Sequence, residues 1–215
     1  MHSLYSGFEF ILRGGFMMYP LLISAFISIS VIIERILIFQ KRFQTSAEFR
    51  FKIFDLLKNN QITEAEKLCS ELHTPVSAVI ASGLSHFKNP IVEMELSMKN
   101  AAEEWVPILE KRVDIIDTVI TAAPLMGLLG TITGMMASFQ VLSEKGVNEP
   151  NAITGGVAEA LIATATGLVI ALVSLVAYNY LSAKIKVFIY DLEAVASKLV
   201  ELRMGKDRDF AKTNK

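Results

Sequence analysis

Three stretches of the chain carry no charged residue: Gly14 to Ile33, Thr118 to Ser143 and Ala160 to Ala183. A helix rises about 1.5 Å per residue, so roughly 20 residues cross the hydrocarbon core of a bilayer. Each run reaches that length and predicts a transmembrane helix. The second and third are long enough to tilt or to project into the headgroups. Between the first two runs the pattern changes. "TEAEKLCSEL" sets Ala65, Leu68, Cys69 and Leu72 at i, i+3, i+4 and i+7, the signature of an amphipathic helix. "HTP" should end it, because the residue before Pro75 is pushed out of helical geometry. A second helix is expected through "VSAVIASGLSHF", and Asn89-Pro90 breaks the chain again. From Ile91 one long helix is expected to run into the second span, with Pro107 kinking it or marking its boundary.

The resulting division is 1–13, an outer-surface segment; 14–38, the first span; 39–112, a cytoplasmic helical segment; 113–143, the second span; 144–153, an outer loop; 154–183, the third span; and 184–215, a cytoplasmic helix and tail. In segment 1–13, Leu4, Phe8, Ile11 and Leu12 fit either a short amphipathic surface helix or a frayed start to the first span. The first run does not read as a cleaved signal peptide. It lacks an early basic cluster, it is long for such a segment, and Glu34-Arg35 stands where small residues would be needed.

Composition supports the membrane class. Hydrophobic residues make up 52% of 215, and the mean hydropathy is +0.44, above the usual share for a soluble domain. The net charge of −1 provides no basic field for nucleic acid. Cys69 is the single cysteine, so no intrachain disulfide can form, and scattered His2, His73 and His86 make no metal-ligand pattern. No cofactor is expected. No phosphate loop, nucleophile elbow or metal spacing is found, so an enzyme is not expected. Lysines and arginines concentrate in 39–112 and after residue 183, whereas the other side holds Arg13 and Lys145. Positive charge stays on the cytoplasmic side. This predicts an outward N-terminus and an outward loop "SEKGVNEPNA". Segment 39–112 carries ten basic and ten acidic residues, a balance that suits a soluble helical layer.

Small residues form stripes in the last two spans: Ala123, Gly127, Gly130, Thr131, Gly134, Ala137 and Ser138 in one, and Ala160, Thr164, Gly167, Ala171 and Ser174 in the other. Such stripes let membrane helices pack closely. Thr131, Thr133, Thr164 and Thr166 add hydroxyls, each able to bond to a backbone carbonyl one turn back or to water. Glu159 stands at the edge of the third run. It reads either as a cap near the outer headgroups or as a titratable group facing a wet interior, since a carboxylate in lipid costs on the order of 2.5–3.5 kcal/mol. Glu34 reads as an interfacial anchor. Asp114 and Asp117 read as solvated residues at the start of a helix or as the lining of a proton exit, and His73 and His86 as surface residues.

"APLMGLLGTITGMMASFQ" and "GGVAEALIATATGLVIALVSLVAYNYL" together resemble the MotA/TolQ/ExbB proton-channel family. The first carries Pro124, Gly127, Leu128, Gly130, Thr131 and Gly134, and the second carries Glu159, Ala160, Leu161, Thr164, Ala165, Gly167 and Leu168. "RGGFMMYPLLISAFISISVIIERIL" and "AEKLCSELHTPVSAVIASGL" are similar to the family's first span and cytoplasmic segment, so the resemblance covers about residues 10 to 190. Three spans and this length are similar to ExbB and TolQ; MotA-type stators usually have four spans. The resemblance implies an all-α membrane protein assembled as a homopentamer in the inner membrane. Spans two and three would line a pore holding an ExbD- or TolR-like single-span dimer, with energy passed to a TonB- or TolA-like protein. By matching position, Glu159, Thr131 and Thr164 would face the pore, while Pro124, Gly127, Gly130, Gly134 and Gly167 would pack the helices. One tension remains within the third span. On an ideal helix Glu159 and Thr164 lie about 140° apart, whereas Thr166 nearly aligns with Glu159. The motif favours Thr164 and the spacing favours Thr166.

Overall fold

In lipid every backbone N–H and C=O must find its partner within the protein, and over a continuous apolar run only helix supplies that locally. All three runs are helical, the first from Met18 onward, in the computed structural model, which describes residues 14–42, 47–146 and 150–213. Helix α1 spans Met18–Arg42. Five shorter helices follow: α2 (Ala47–Lys58), α3 (Ile62–Glu71), α4 (Pro75–Ser85), α5 (Ile91–Glu103) and α6 (Val106–Glu110). Two long ones complete the chain, α7 (Val113–Lys145) and α8 (Pro150–Thr213). No strand occurs among the described residues. Parts of α1, α7 and α8 are long and apolar enough to cross a membrane: Met18–Gln40, Val113–Glu144 and Thr154–Gly205. The expected segment 1–13 lies outside the described residues, as do residues 147–149 of the loop.

The breaks expected at Pro75 and Pro90 are present, and the first has a local cause. Thr74 caps α4: its hydroxyl accepts from the Ser77 N–H at 3.2 Å, and the Ser77 hydroxyl accepts from the Thr74 N–H at 3.1 Å. Pro75 follows in the first turn, where a missing N–H costs nothing. The expected continuous helix from Ile91 into the second span is not formed. The chain leaves helical geometry at Lys111, and Arg112 takes a left-handed φ of 63°. That conformation is uncommon for a residue with a Cβ. The Arg112 guanidinium donates to the Glu34 carboxylate, which holds this turn against α1. Pro107 sits in the first turn of α6 and starts a helix rather than kinking one. The helix that carries the third run extends past the expected bounds of 154 and 183, since α8 runs unbroken over 64 residues, about 96 Å of helix.

The chain forms two compact units, and α1 and α8 contribute a stretch to each. One comprises Met1–Glu34 and Arg112–Leu181, the other Arg35–Lys111 and Ser182–Lys215. The first has a core of Met18 and Leu21 from α1, Val119 and Ala123 from α7, and Ala171 from α8. A hydrogen bond of 2.8 Å between the Ser28 and Ser174 hydroxyls, both buried, joins α1 to α8. The second unit buries Ile53, Leu57, Ile80, Met94, Met98, Leu192 and Leu199. There Arg203 donates to the Phe87 carbonyl at 2.6 Å, and its guanidinium lies 5.4 Å from the centre of the Phe87 ring.

Candidate functional site

The buried positions of α7 are Val113, Ile116, Val119, Ala123, Gly127, Gly130, Gly134 and Ser138, at steps of three and four. Those of α8 across the same unit are Ala160, Ala163, Gly167, Ala171, Ser174 and Leu181. Small side chains on both faces bring the two backbones together. A Cβ on Gly127 would lie 3.0 Å from the Ala163 carbonyl oxygen and 3.0 Å from the Thr164 Cα. One on Gly134 would lie 2.8 Å from the Gly156 carbonyl oxygen, and one on Gly167 would collide with the Ala123 carbonyl. The glycines of both stripes are therefore the packing seam of α7 on α8. Ala137, placed on this stripe by spacing, is exposed instead. Ala163, absent from the stripe as read from sequence, is fully buried. Pro124 lies half-buried within α7 and removes the backbone bond to Ile120, yet the helix continues through it.

Close approach gives one threonine a different role from the others. The Thr164 hydroxyl donates to the Gly127 carbonyl at 2.9 Å, an interhelical bond reachable because residue 127 has no side chain. Thr131 donates to the Leu128 carbonyl at 2.6 Å, Thr133 to the Leu129 and Gly130 carbonyls at 3.1 Å, and Thr166 to the Ile162 carbonyl at 2.8 Å. These three hydroxyl protons are thus spent on their own helices. The motif and the helical spacing disagreed over Thr164 and Thr166. Of the two, Thr164 is the one that ties α8 to α7.

Glu159 is half-buried, nine residues into α8. That is about 13 Å from the first residue of the helix, too far to cap it. Its carboxylate lies instead against Gly15, in the turn that begins α1, and a Cβ on Gly15 would collide with Oε1 and Cδ. The start of a helix carries partial positive charge, a favourable place for a carboxylate. Among the described residues no hydrogen bond links Glu159 to Thr131, Thr164 or Thr166. The structure therefore brings Thr164 together with Gly127, and Glu159 together with Gly15, as two separate pairings.

Glu34 and His86 depart from their expected places, whereas Asp114, Asp117 and His73 keep theirs. Glu34 is paired with Arg112 rather than only anchoring an end. Asp114 and Asp117 are exposed, as is His73. His86 is half-buried, with Nδ1 2.9 Å from the Ser85 hydroxyl and 3.1 Å from the Ser97 hydroxyl. Among the described residues no group of three or more His, Cys, Asp or Glu is placed to hold a metal ion.

A model of the MotA/TolQ/ExbB proton channel family matches residues 71–194, across the α7–α8 seam and part of the second unit. The chain belongs to this family. Its relatives include the protein named ExbB-like 3 of Synechocystis sp., 30% identical over 170 residues, which are 78% of this chain and 81% of that one. The biopolymer transport protein ExbB of Aquifex aeolicus is 44% identical over 87 residues, 40% of this chain and 59% of its own. The Tol-Pal system protein TolQ of Haemophilus influenzae is 39% identical over 98 residues, 46% of this chain and 41% of its own. Membership of the MotA/TolQ/ExbB family, with three apolar helices of spanning length, makes the chain a multi-pass membrane protein. It is a subunit of the proton-channel type found in ExbB and TolQ systems.

Proposed function

We propose that this chain is the proton-conducting scaffold subunit of an inner-membrane motor that couples the proton motive force to energised outer-membrane transport. It is not an enzyme and needs no cofactor. The reading rests on one observation above others. A carboxylate, Glu159, stands near the outer end of an apolar spanning segment, beside a glycine seam that also holds Thr164. A carboxylate at the bilayer centre costs on the order of 2.5–3.5 kcal/mol, and even near the end of a span it is a charge that simple packing does not require. The subunits assemble as a homopentamer, with α7 and α8 lining a central pore. An ExbD- or TolR-like single-span dimer occupies that pore, and a TonB- or TolA-like protein receives the work. Each elementary charge crossing the membrane is worth about 2.3 kcal/mol per 100 mV. The N-terminus and the α7–α8 loop face outward, and α2 to α6 lie in the cytoplasm. The pore-facing polar set is Glu159 with Thr131, Thr164 and Thr166.

Relatives named ExbB support the transport role, and the TolQ relative favours an envelope-maintenance role as the second reading. Glu159→Gln and Thr164→Ala, expressed in cells with an intact proton motive force, are expected to lose energy-dependent uptake at least tenfold. Loss of detergent resistance instead of uptake selects the TolQ-like role. Normal uptake and normal envelope integrity in both variants would rule out the assigned roles. Proton flux into liposomes holding the chain with its single-span partner separates a conductor from a passive scaffold.

A further inference from the structure

The glycine pair at the start of the first span touches Glu159, the residue on which the proton-conducting role depends. Gly15 has φ +71°, in the left-handed region, in the turn that leads into α1 at Met18. Its missing side chain is where the Glu159 carboxylate lies: a Cβ there would meet Oε1, Cδ and Cγ together. Two further contacts set the same turn across the α7–α8 seam. A Cβ on Gly14 would lie 3.1 Å from Ile162 Cγ2, and the Met17 Cβ lies 3.4 Å from where Gly130 would carry one. Three elements thus meet at one level, and the Glu159 carboxylate rests on a residue whose missing side chain leaves it room.

We propose that the Gly14–Gly15 turn is a seat for the Glu159 carboxylate, so that Gly15 is a positioning residue for the proton pathway. This rests on the reading that Glu159 serves that pathway. The seat fixes where along the membrane normal the charge sits, and it makes α1 a part of the pathway rather than an outer support. Gly15 contributes a backbone shape and an empty volume. Any side chain at position 15 pushes the carboxylate away, including one that tolerates a left-handed φ.

The last point provides the test, carried out on the full chain with its single-span partner in liposomes. Asparagine accepts φ near +60° at little cost, unlike alanine. Gly15→Asn therefore keeps the turn and fills the seat, and it is expected to cut proton flux at least tenfold. Its loss of melting temperature should vanish when Glu159→Ala is added, the non-additivity expected of residues in contact. In a Cys69→Ser background, Gly15→Cys with Glu159→Cys should form a disulfide under mild oxidation, since a disulfide needs adjacent Cβ atoms. No disulfide, or wild-type flux in Gly15→Asn with loss only in Gly15→Ala, overturns the seat. Normal conduction by Glu159→Gln overturns the pathway reading and with it the positioning role, even if the disulfide forms. Absence of the disulfide with conduction lost in Glu159→Gln overturns the seat alone.

Discussion

Cys69 shows how far a single side chain can be decided by its surroundings. It is buried in α3, and burial pushes its thiol from the ordinary 9.0 up to about 12, with the Glu66 carboxylate adding to the shift. The thiolate is the reactive form. The native protein should therefore resist iodoacetamide at pH 8 and react fully once denatured. Rapid alkylation of the folded chain would contradict this. Stability is linked to the same proton. Between pH 9.0 and about 12 the unfolded thiol ionises while the native one keeps its proton, so the folded state loses stability as pH rises through that window. Denaturant midpoints measured from pH 8 to 11 should fall, and Cys69→Ala should flatten the fall. At this scale the sequence was partly readable. Glu159 stood out as a charge at the edge of an uncharged run. Its partner did not, because nothing local to Gly15 points to a helix so distant in the chain. The one available signal was the adjacent glycines themselves. A glycine pair at the start of an apolar helix is entropically costly and implies a close approach.

Among the elements, α8 departs most from expectation. Charged residues begin again at Lys184, and a change from apolar to charged composition reads as a boundary. The backbone shows no boundary there. No helix-breaking residue lies near 183, and the three-and-four spacing of buried positions passes straight through it, from Ser174 and Leu181 to Ile185, Phe188 and Leu192. This continuity can be measured at Ala183, which is exposed and so reports on backbone rather than packing. Ala183→Gly should cost about 1 kcal/mol and Ala183→Pro about 3 kcal/mol or more, the interior-helix penalties. Thermal unfolding in detergent would read both. Equal tolerance of glycine and proline would mean a joint at that point. The break before α7 was illegible for the opposite reason. Lys111-Arg112 contains no turn residue, and Arg112 holds its left-handed conformation together with a tertiary ion pair to Glu34. The α7–α8 seam was legible because glycine, alanine and serine at helical spacing have few other uses in a membrane helix.

For the whole molecule, the asymmetric placement of lysine and arginine predicts which way the chain threads the bilayer. Single-cysteine variants in a Cys69→Ser background would test it. Glu144→Cys, at the end of α7, should label with a membrane-impermeant maleimide in cells whose outer membrane alone has been opened. Lys186→Cys should label only after the inner membrane is breached. The reverse pattern would overturn the proposed topology. The fold class followed from hydropathy, since an apolar run of this length has few alternatives to a helix. The pairing of Thr164 with Gly127 and of Glu159 with Gly15 did not, since both depend on how helices rotate against one another. The second pairing also bears on biogenesis. Ribosomes deliver the first span long before the third, so the hollow beside Gly15 is made first and stays empty until Glu159 arrives. The last helix must carry its carboxylate into the bilayer without that hollow and find it afterwards by sideways association. Insertion and maturation are then distinct events, and a chain whose third span is in the membrane is not finished until its end has returned to its beginning.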